Sequence, residues 1–193
     1  EQYHRKREIA TTLSSHTGHK VHAPKGIGAL YVKKGTRLLP HVFGGGQERG
    51  LRPGTESTPL IAAFGRAVEL LPKAGEALPA VRDLNVRLRR GLGELEGVTV
   101  HSPEDGLPYV LSFSAGRVRA ETMLHFLAER GVFVSAGSAC GRAKPSHVLE
   151  AMGLPRDQVA SALRVSFSRF STQEDVEALL QGLKEGLGRL AQF

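Results

Sequence analysis

The sequence predicts an α/β fold, in which strands and helices alternate along the chain and pack in layers. Three observations lead to this prediction. Short apolar runs are bounded by Gly, Pro or charged residues, which is typical of strands. Longer stretches repeat apolar residues at three- and four-residue spacing, which is typical of helices. The two kinds of stretch follow one another over most of the chain.

The strand predictions rest on the short apolar runs. Residues 26–32 form the run Gly-Ile-Gly-Ala-Leu-Tyr-Val between lysine-containing flanks, which indicates a buried strand. The other predicted strands cover residues 98–101, 109–114, 132–134 and 162–168. The glycine-rich residues 44–55 are predicted to form a loop, either one that approaches a ligand closely or a flexible connection.

The helix predictions rest on apolar residues that share one face. From Ser57 such a face continues until Pro72 ends the run. A second helix carries Val81, Leu84, Leu88, Leu92 and Leu95 and ends at Gly97. The remaining predicted helices cover residues 121–129 and 146–153 and the stretch that Thr172 caps.

Length and composition indicate an ordinary globular protein. The chain has 193 residues, 40% of them hydrophobic, which is enough for one sizeable core or two small ones. The apolar runs are short and the N-terminus is polar, so we expect no export signal and no membrane anchor. Cys140 is the only cysteine, which excludes an intramolecular disulfide and favours a reducing, cytoplasmic setting.

The net charge of +7 raises the question of nucleic-acid binding. The basic residues are scattered along the sequence, zinc-finger spacing is absent, and aromatic residues make up 6% of the chain. We therefore expect this charge to be non-specific, with no nucleic acid bound directly.

A first candidate site is the segment Thr17-Gly18-His19-Lys20. A lysine that forms an imine must be unprotonated part of the time, which a desolvating pocket or nearby positive charge favours. The Thr17 hydroxyl and the His19 ring could both reach a phosphate. By spacing alone, however, this signal is weak, and an ordinary surface loop explains the segment better.

A second candidate site is Cys140, within Ser-Ala-Gly-Ser-Ala-Cys-Gly-Arg. Its small neighbours leave the thiol unshielded, and Arg142 and Lys144 supply positive charge, which favours the reactive thiolate. A lone cysteine is often a small buried hydrophobic residue. The polar, glycine-flanked loop argues against that interpretation.

A third candidate is Arg164, a charged residue within the strand predicted over residues 162–168. A buried guanidinium needs an anionic partner, and its planar fork matches a carboxylate in bidentate fashion. That partner is either the carboxylate of a ligand or an Asp or Glu of the protein, and the sequence leaves both possibilities open.

Taken together, these segments resemble, in order and spacing, the second half of the NifS/IscS-type cysteine desulfurases. This group belongs to the class V aminotransferase branch of the fold-type I pyridoxal-phosphate (PLP) enzymes. The resemblance extends over nearly the whole chain from about residue 14. It rests on Gly18-His19-Lys20 with residues 24–32, on the run Gly44-Gly45-Gly46-Gln47-Glu48-Arg49-Gly50-Leu51-Arg52-Pro53-Gly54-Thr55-Glu56, and on Gly137-Ser138-Ala139-Cys140, Ser146-His147-Val148-Leu149 and Leu163-Arg164-Val165-Ser166.

The resemblance implies a cofactor site and an architecture. Lys20 would hold PLP through an imine, Thr17 and His19 would contact the PLP phosphate, and Thr55 would reach the phosphate of the neighbouring subunit in a homodimer. Residues 1–60 would be a remnant of the large PLP-binding domain, and residues 61–193 a small C-terminal α/β domain. The chain would then be the C-terminal half of such an enzyme, as a truncated product or one half of a split enzyme.

The resemblance also implies the reaction. Arg164 would bind the carboxylate of L-cysteine, and Cys140 would accept its sulfur as a persulfide, which leaves L-alanine. The sulfur would pass to an acceptor or iron–sulfur scaffold protein in the cytoplasm, for iron–sulfur clusters or thio-cofactors. The alternatives are a selenocysteine lyase or another carbon–sulfur lyase, and a non-catalytic sulfur-relay or scaffold-binding module that uses Cys140 alone.

Overall fold

A computed structural model describes residues 13–73, 75–136 and 146–191. The chain divides into two compact units, Glu1–Pro72 and Lys73–Phe193. Helix α1 (Thr58–Glu69) packs against the turn at Gly18–Val21 and so belongs to the first unit. Among the helices of the described ranges, none is both long and apolar enough to cross a membrane.

The first unit contains a two-stranded antiparallel sheet. Strand β1 (Leu13–Thr17), which the sequence did not predict, pairs with β2 (Gly28–Val32) so that Thr17 lies opposite Gly28. The strand predicted over residues 26–32 is therefore present, but its predicted burial is wrong. Leu30 and Tyr31, on opposite faces of β2, are 56% and 55% exposed, so neither face of this strand is fully covered.

Helix α1 follows Ser57, where the sequence predicted a helix to begin. Leu60, Phe64 and Ala67 are partly buried along one side, as their three- and four-residue spacing requires. The helix ends at Glu69, just before Pro72, so both predicted ends agree with the structure to within a few residues.

The second unit is built on a four-stranded antiparallel sheet with the strand order β3-β4-β6-β5. Its strands are β3 (Val98–Val100), β4 (Val110–Ala115), β5 (Ser135–Ala136) and β6 (Ala162–Ser166). Three of them confirm predicted strands. The strand predicted over residues 132–134 is wrong: the Val132 amide donates to the Leu127 carbonyl at the end of a helix, and pairing begins only at Ser135.

Three helices cover one face of this sheet: α2 (Leu78–Gly93), α3 (Ala120–Ala128) and α6 (Gln173–Arg189). The apolar core between sheet and helices includes Leu88, Leu92, Leu111, Phe113, Met123, Leu127, Leu163 and Leu183. Thr172 caps α6 as predicted, since its hydroxyl accepts from the Asp175 amide while the Asp175 carboxylate accepts from the Thr172 amide. The predicted α/β fold is thus confirmed.

The opposite face of the sheet is polar and only partly covered. The short helices α4 (His147–Ala151) and α5 (Arg156–Ala160) pack there through a small apolar cluster that includes Leu149, Val159 and Ala162. Because side chains alternate along a strand, Ser112, Ser114 and Arg164 all lie on this face, while their neighbours enter the core. This face therefore carries the polar residues of the second unit's sheet.

Candidate active site

Lys20 lies in a 3-10 turn, Gly18–Val21, that directly follows β1. The Gly18 amide donates to the Ile27 carbonyl over 2.8 Å, and the Ala23 amide donates to the Gly18 carbonyl over 3.0 Å, which fixes the turn against β2. A Cβ atom at Gly18 would lie 2.8 Å from the Ile27 carbonyl oxygen, so only glycine fits this close approach. The close approach of the backbone thus explains why glycine is found two residues before the candidate lysine.

The sequence predicted that Thr17, His19 and Lys20 bind a phosphate and form an imine, and all three lie at or directly before this turn. Thr17 precedes the turn with extended backbone, and His19 and Lys20 lie within it. All three residues are exposed, so this unit does not itself supply the desolvating pocket that an imine-forming lysine requires. A hydroxyl, an imidazole and an amine in one accessible turn nevertheless suit a phosphate and an aldehyde.

Thr55 lies at the end of the glycine-rich loop, away from the lysine turn in the sequence. The loop contains a 3-10 turn, Gln47–Gly50, in which Glu48 and Arg49 both have positive φ (48° and 58°). Two consecutive non-glycine residues in this region cost free energy, which is typical of functional loops. The Gly54 amide donates to the Gln47 side-chain oxygen over 3.3 Å, and Thr55 is exposed beside an open depression that Gly26 and Gly28 also line.

Arg164 lies at the centre of β6, on the polar face of the second unit's sheet. It is paired in register with Ser112 on β4 and with Ser135 on β5. Its Nε atom is buried and has no hydrogen-bond partner, and the guanidinium forms no ion pair with any Asp or Glu among the described residues. The internal salt bridge that the sequence left open is therefore not found in this part of the chain.

A cavity of about 290 Å³ opens beside Arg164. Its polar lining includes His101, Ser102, Ser112 and Ser146, and its apolar wall is formed by Val148, Leu149 and Met152. None of the described lining residues is acidic. A guanidinium with an unsatisfied buried donor, in a small cavity without a carboxylate, indicates a binding site for a small anion.

Asn85 and Arg89 of α2 hold the rim of this cavity through side-chain hydrogen bonds, and we call this pair the clamp. The Asn85 side-chain amide donates to the Pro108 carbonyl over 2.9 Å, and the Asn85 oxygen accepts from Arg89 Nε over 2.8 Å. Arg89 in turn donates to the carbonyls of Ser102 and Pro103 over 2.9 and 2.8 Å. The clamp thus fixes the loop that follows His101. His101 lies at the strand end and lines the cavity.

We expect an Asn85→Ala variant to lose about 1–3 kcal/mol of unfolding free energy, because Asn85 is 5% exposed and its loss leaves the Pro108 carbonyl and the Nε of Arg89 without the partner that Asn85 provides. Urea denaturation followed by circular dichroism measures this. Arg90→Ala, on the exposed side of the same helix, is the matched control and should change stability by less than about 0.5 kcal/mol. Equal losses in the two variants would contradict the clamp.

Cys140, together with Arg142 and Lys144, lies outside the described residues. The described chain stops at Ala136, at the end of β5, and resumes at Ser146, at the start of α4. Both end points border the cavity region, since Ser135 is the cross-strand partner of Arg164 and Ser146 lines the cavity. Described residues close to Arg164 thus precede and follow the segment that carries Cys140 in the sequence.

Sequence reasoning did not identify His101, Ser114, Asn85 or Arg89. His101 follows a short apolar strand and Asn85 lies within a helical apolar face, so neither carries a local signal. Tertiary contacts alone bring His101 to the cavity and the other three residues to the hydrogen bonds that support it.

The sequence of this chain matches a known family over most of its length. The family described as Aminotransferase class-V matches residues 7–179, and the chain belongs to that family. The match begins earlier than residue 14, where the resemblance was predicted to begin.

Within that family, the similar proteins are cysteine desulfurases. A cysteine desulfurase of Gluconacetobacter diazotrophicus is 42% identical over 186 residues, which cover 94% of this chain and 46% of the relative. The cysteine desulfurase IscS of Clostridium botulinum is 38% identical over 187 residues, with coverages of 92% and 46%. The chain spans about half the length of the curated relatives it matches.

The chain is also similar to solved structures of NifS-like proteins. A NifS-like protein superposes with a TM-score of 0.78 at 35% identity, covering 93% of this chain and 47% of that one. A NifS-like protein from Rickettsia africae gives a TM-score of 0.79 at 28% identity, with coverages of 90% and 46%. The predicted resemblance to the NifS/IscS group and the predicted fold class are confirmed.

Proposed function

We propose that this chain carries the cofactor lysine, the substrate-binding arginine and the sulfur-accepting cysteine of a PLP-dependent cysteine desulfurase. In this proposal L-cysteine is converted to L-alanine, and the sulfur remains on Cys140 as a persulfide. The observation that carries the proposal is Arg164, whose buried Nε lacks a partner in a cavity whose described lining includes no carboxylate. The cysteine desulfurase relatives support the reaction class.

The proposed role of Arg164 is to bind the substrate carboxylate. A carboxylate would accept hydrogen bonds from Nε and from a terminal nitrogen, which satisfies the buried donor and neutralises the charge. Ser112 and Ser146 add hydroxyls at the rim of the same cavity. The apolar wall at Val148 and Met152 leaves room for the short side chain of a small amino acid.

The proposed role of Cys140 is supported by the described residues on either side of its segment. Ser135 is the cross-strand partner of Arg164, and Ser146 lines the same cavity. The Cys140 thiolate would attack the substrate sulfur, forming an S–S bond as the carbon–sulfur bond breaks. The electron pair of that bond stays on carbon, which takes a proton to give alanine.

The proposed cofactor site lies in the first unit. Lys20 Nζ would bind the aldehyde carbon of PLP, while Thr17 and His19 would donate to its phosphate, and Thr55 would contact the phosphate bound by the other subunit of a homodimer. PLP supplies the electron sink that makes carbon–sulfur cleavage possible. The exposure of Lys20 in this unit is consistent with a site that further protein surface completes.

We further propose a cytoplasmic protein that passes sulfur to an acceptor or iron–sulfur scaffold protein. Residues 1–60 are assigned to the end of a large PLP-binding domain and residues 61–193 to a small α/β domain. The single cysteine supports the reducing compartment.

The test is to supply PLP and L-cysteine labelled with heavy sulfur, and to measure alanine and the mass of the Cys140 peptide. The chain is assayed alone and after co-expression with the remaining half of the Gluconacetobacter relative. We expect alanine and a labelled persulfide on Cys140, both absent in Cys140→Ser. Absence of both in both preparations would refute the proposal, and faster alanine release from selenocysteine would favour a selenocysteine lyase.

A further inference from the structure

His101 and Arg164 line the same cavity from different strands. The His101 amide donates to the Ser112 carbonyl over 2.8 Å, and Ser112 is the cross-strand partner of Arg164. Two interstrand spacings separate the two backbones, which places their Cα atoms about 10 Å apart. Both side chains are long enough to reach one small ligand between them.

The hydrogen bonds of His101 define which ring nitrogen carries a proton. Its Nε2 lies 2.6 Å from the Ser114 hydroxyl oxygen, and that hydroxyl lies 2.6 Å from the Gln158 carbonyl oxygen. The carbonyl can only accept, so the single hydroxyl proton of Ser114 goes to Gln158. The proton between the ring and the hydroxyl must then belong to His101 Nε2, and in the neutral ring Nδ1 carries the lone pair.

His101 Nδ1 has no hydrogen-bond partner in the described part of the chain. Burial lowers the pKa of His101 below the ordinary histidine value, which favours the neutral ring. The described residues that line the cavity include no Asp or Glu that would stabilise an imidazolium. The cavity thus offers a cationic donor at Arg164 and a neutral acceptor at Nδ1.

We propose that His101 is a specificity-determining residue of this cavity, where Nδ1 accepts a hydrogen bond from a donor group on a small carboxylate held by Arg164. The ligand class is a short-chain carboxylic acid that bears a hydroxyl, thiol or ammonium group. L-Cysteine belongs to this class. The inference rests on the proposed role of Arg164, and it requires neither PLP nor Cys140.

The test compares two acids of the same shape, 3-hydroxypropionate and butyrate, which differ in whether they carry a donor. Their affinities for the full chain without PLP are measured by calorimetry. We expect the preference for 3-hydroxypropionate over butyrate to fall about 3- to 10-fold in His101→Phe, since one hydrogen bond is lost. His101→Gln, which keeps both a donor for Ser114 and an acceptor, should retain the preference.

A wild-type measurement makes the test independent of how the variants fold. The ¹⁵N resonance of His101 Nδ1 should shift when 3-hydroxypropionate is added and stay in place with butyrate. An unchanged preference in His101→Phe, an unmoved resonance, or failure of the wild-type chain to bind either acid would overturn the inference. If Arg164→Leu binds both acids as the wild type does, the proposed role of Arg164 fails instead.

Discussion

Replacing Lys20 with alanine should abolish the yellow absorbance of bound PLP and reduce alanine formation to the rate without enzyme. The reason is chemical: the covalent bond to the cofactor needs an amine, and no other side chain in the turn Gly18–Val21 carries one. The measurement is a spectrum of the PLP-treated chain, together with alanine release in the preparation that forms alanine.

Lys25 provides the matched control for this prediction. It is an exposed lysine five residues along the same connection between β1 and β2. Lys25→Ala should retain both the absorbance and the activity. If Lys20→Ala retains full absorbance, or if both variants lose it equally, Lys20 is not the attachment site.

Replacing Arg164 with leucine should weaken L-cysteine binding about 100- to 1,000-fold, with KM rising accordingly. Breaking a buried, charge-assisted carboxylate contact costs about 3–4 kcal/mol, and each 1.4 kcal/mol is a factor of ten. The same variant should be as stable as the wild type or about 1 kcal/mol more stable, because it removes a buried donor that has no partner in the described structure.

Weaker L-cysteine binding together with unchanged or higher stability distinguishes a ligand-binding residue from one that supports the fold. Arg90→Leu, a change to an exposed arginine of α2, serves as the control and should leave KM unchanged. A loss of stability in Arg164→Leu with KM unchanged would show that Arg164 supports the fold instead. Substrate titrations and urea denaturation of the two variants provide both readouts.

Much of the second unit could be predicted because its elements are strongly patterned. The apolar positions of α2 recur at helical spacing, and Val81, Leu84, Leu88 and Leu92 are all buried in the structure. The Thr172–Asp175 capping box is a purely local interaction, so its sequence is sufficient. Where the local pattern agrees with the tertiary packing, the predicted element is found in the structure.

The predictions that failed depended on contacts that the apolar pattern does not show. Residues 132–134 are apolar enough for a strand, but the hydrogen bond from Val132 to Leu127 keeps them at the helix end. The run at residues 28–32 forms a strand, and its burial requires neighbours beyond β1. Helix α5 and strand β1 had no distinct local pattern.

The residues of the candidate site also differ in how far the sequence could predict them. Lys20, Arg164 and Cys140 were candidates from their local sequence, but only the resemblance assigned their roles, since the spacing around each of them is also typical of ordinary loops or ion pairs. The structure adds what spacing cannot provide, namely the unpaired Nε of Arg164 and the cavity around it. The proton on His101 Nε2 follows only from contacts between three separate elements.

The most direct test of the account asks which lysine holds the cofactor. The chain, co-expressed with the remaining half of the relative where needed, is mixed with less than one equivalent of PLP, reduced with borohydride, digested and analysed by mass spectrometry. We predict that the reduced cofactor is found on Lys20. Finding it on Lys25, Lys33 or Lys34, spread over many lysines, or on none would contradict the assignment of Lys20 as the cofactor lysine.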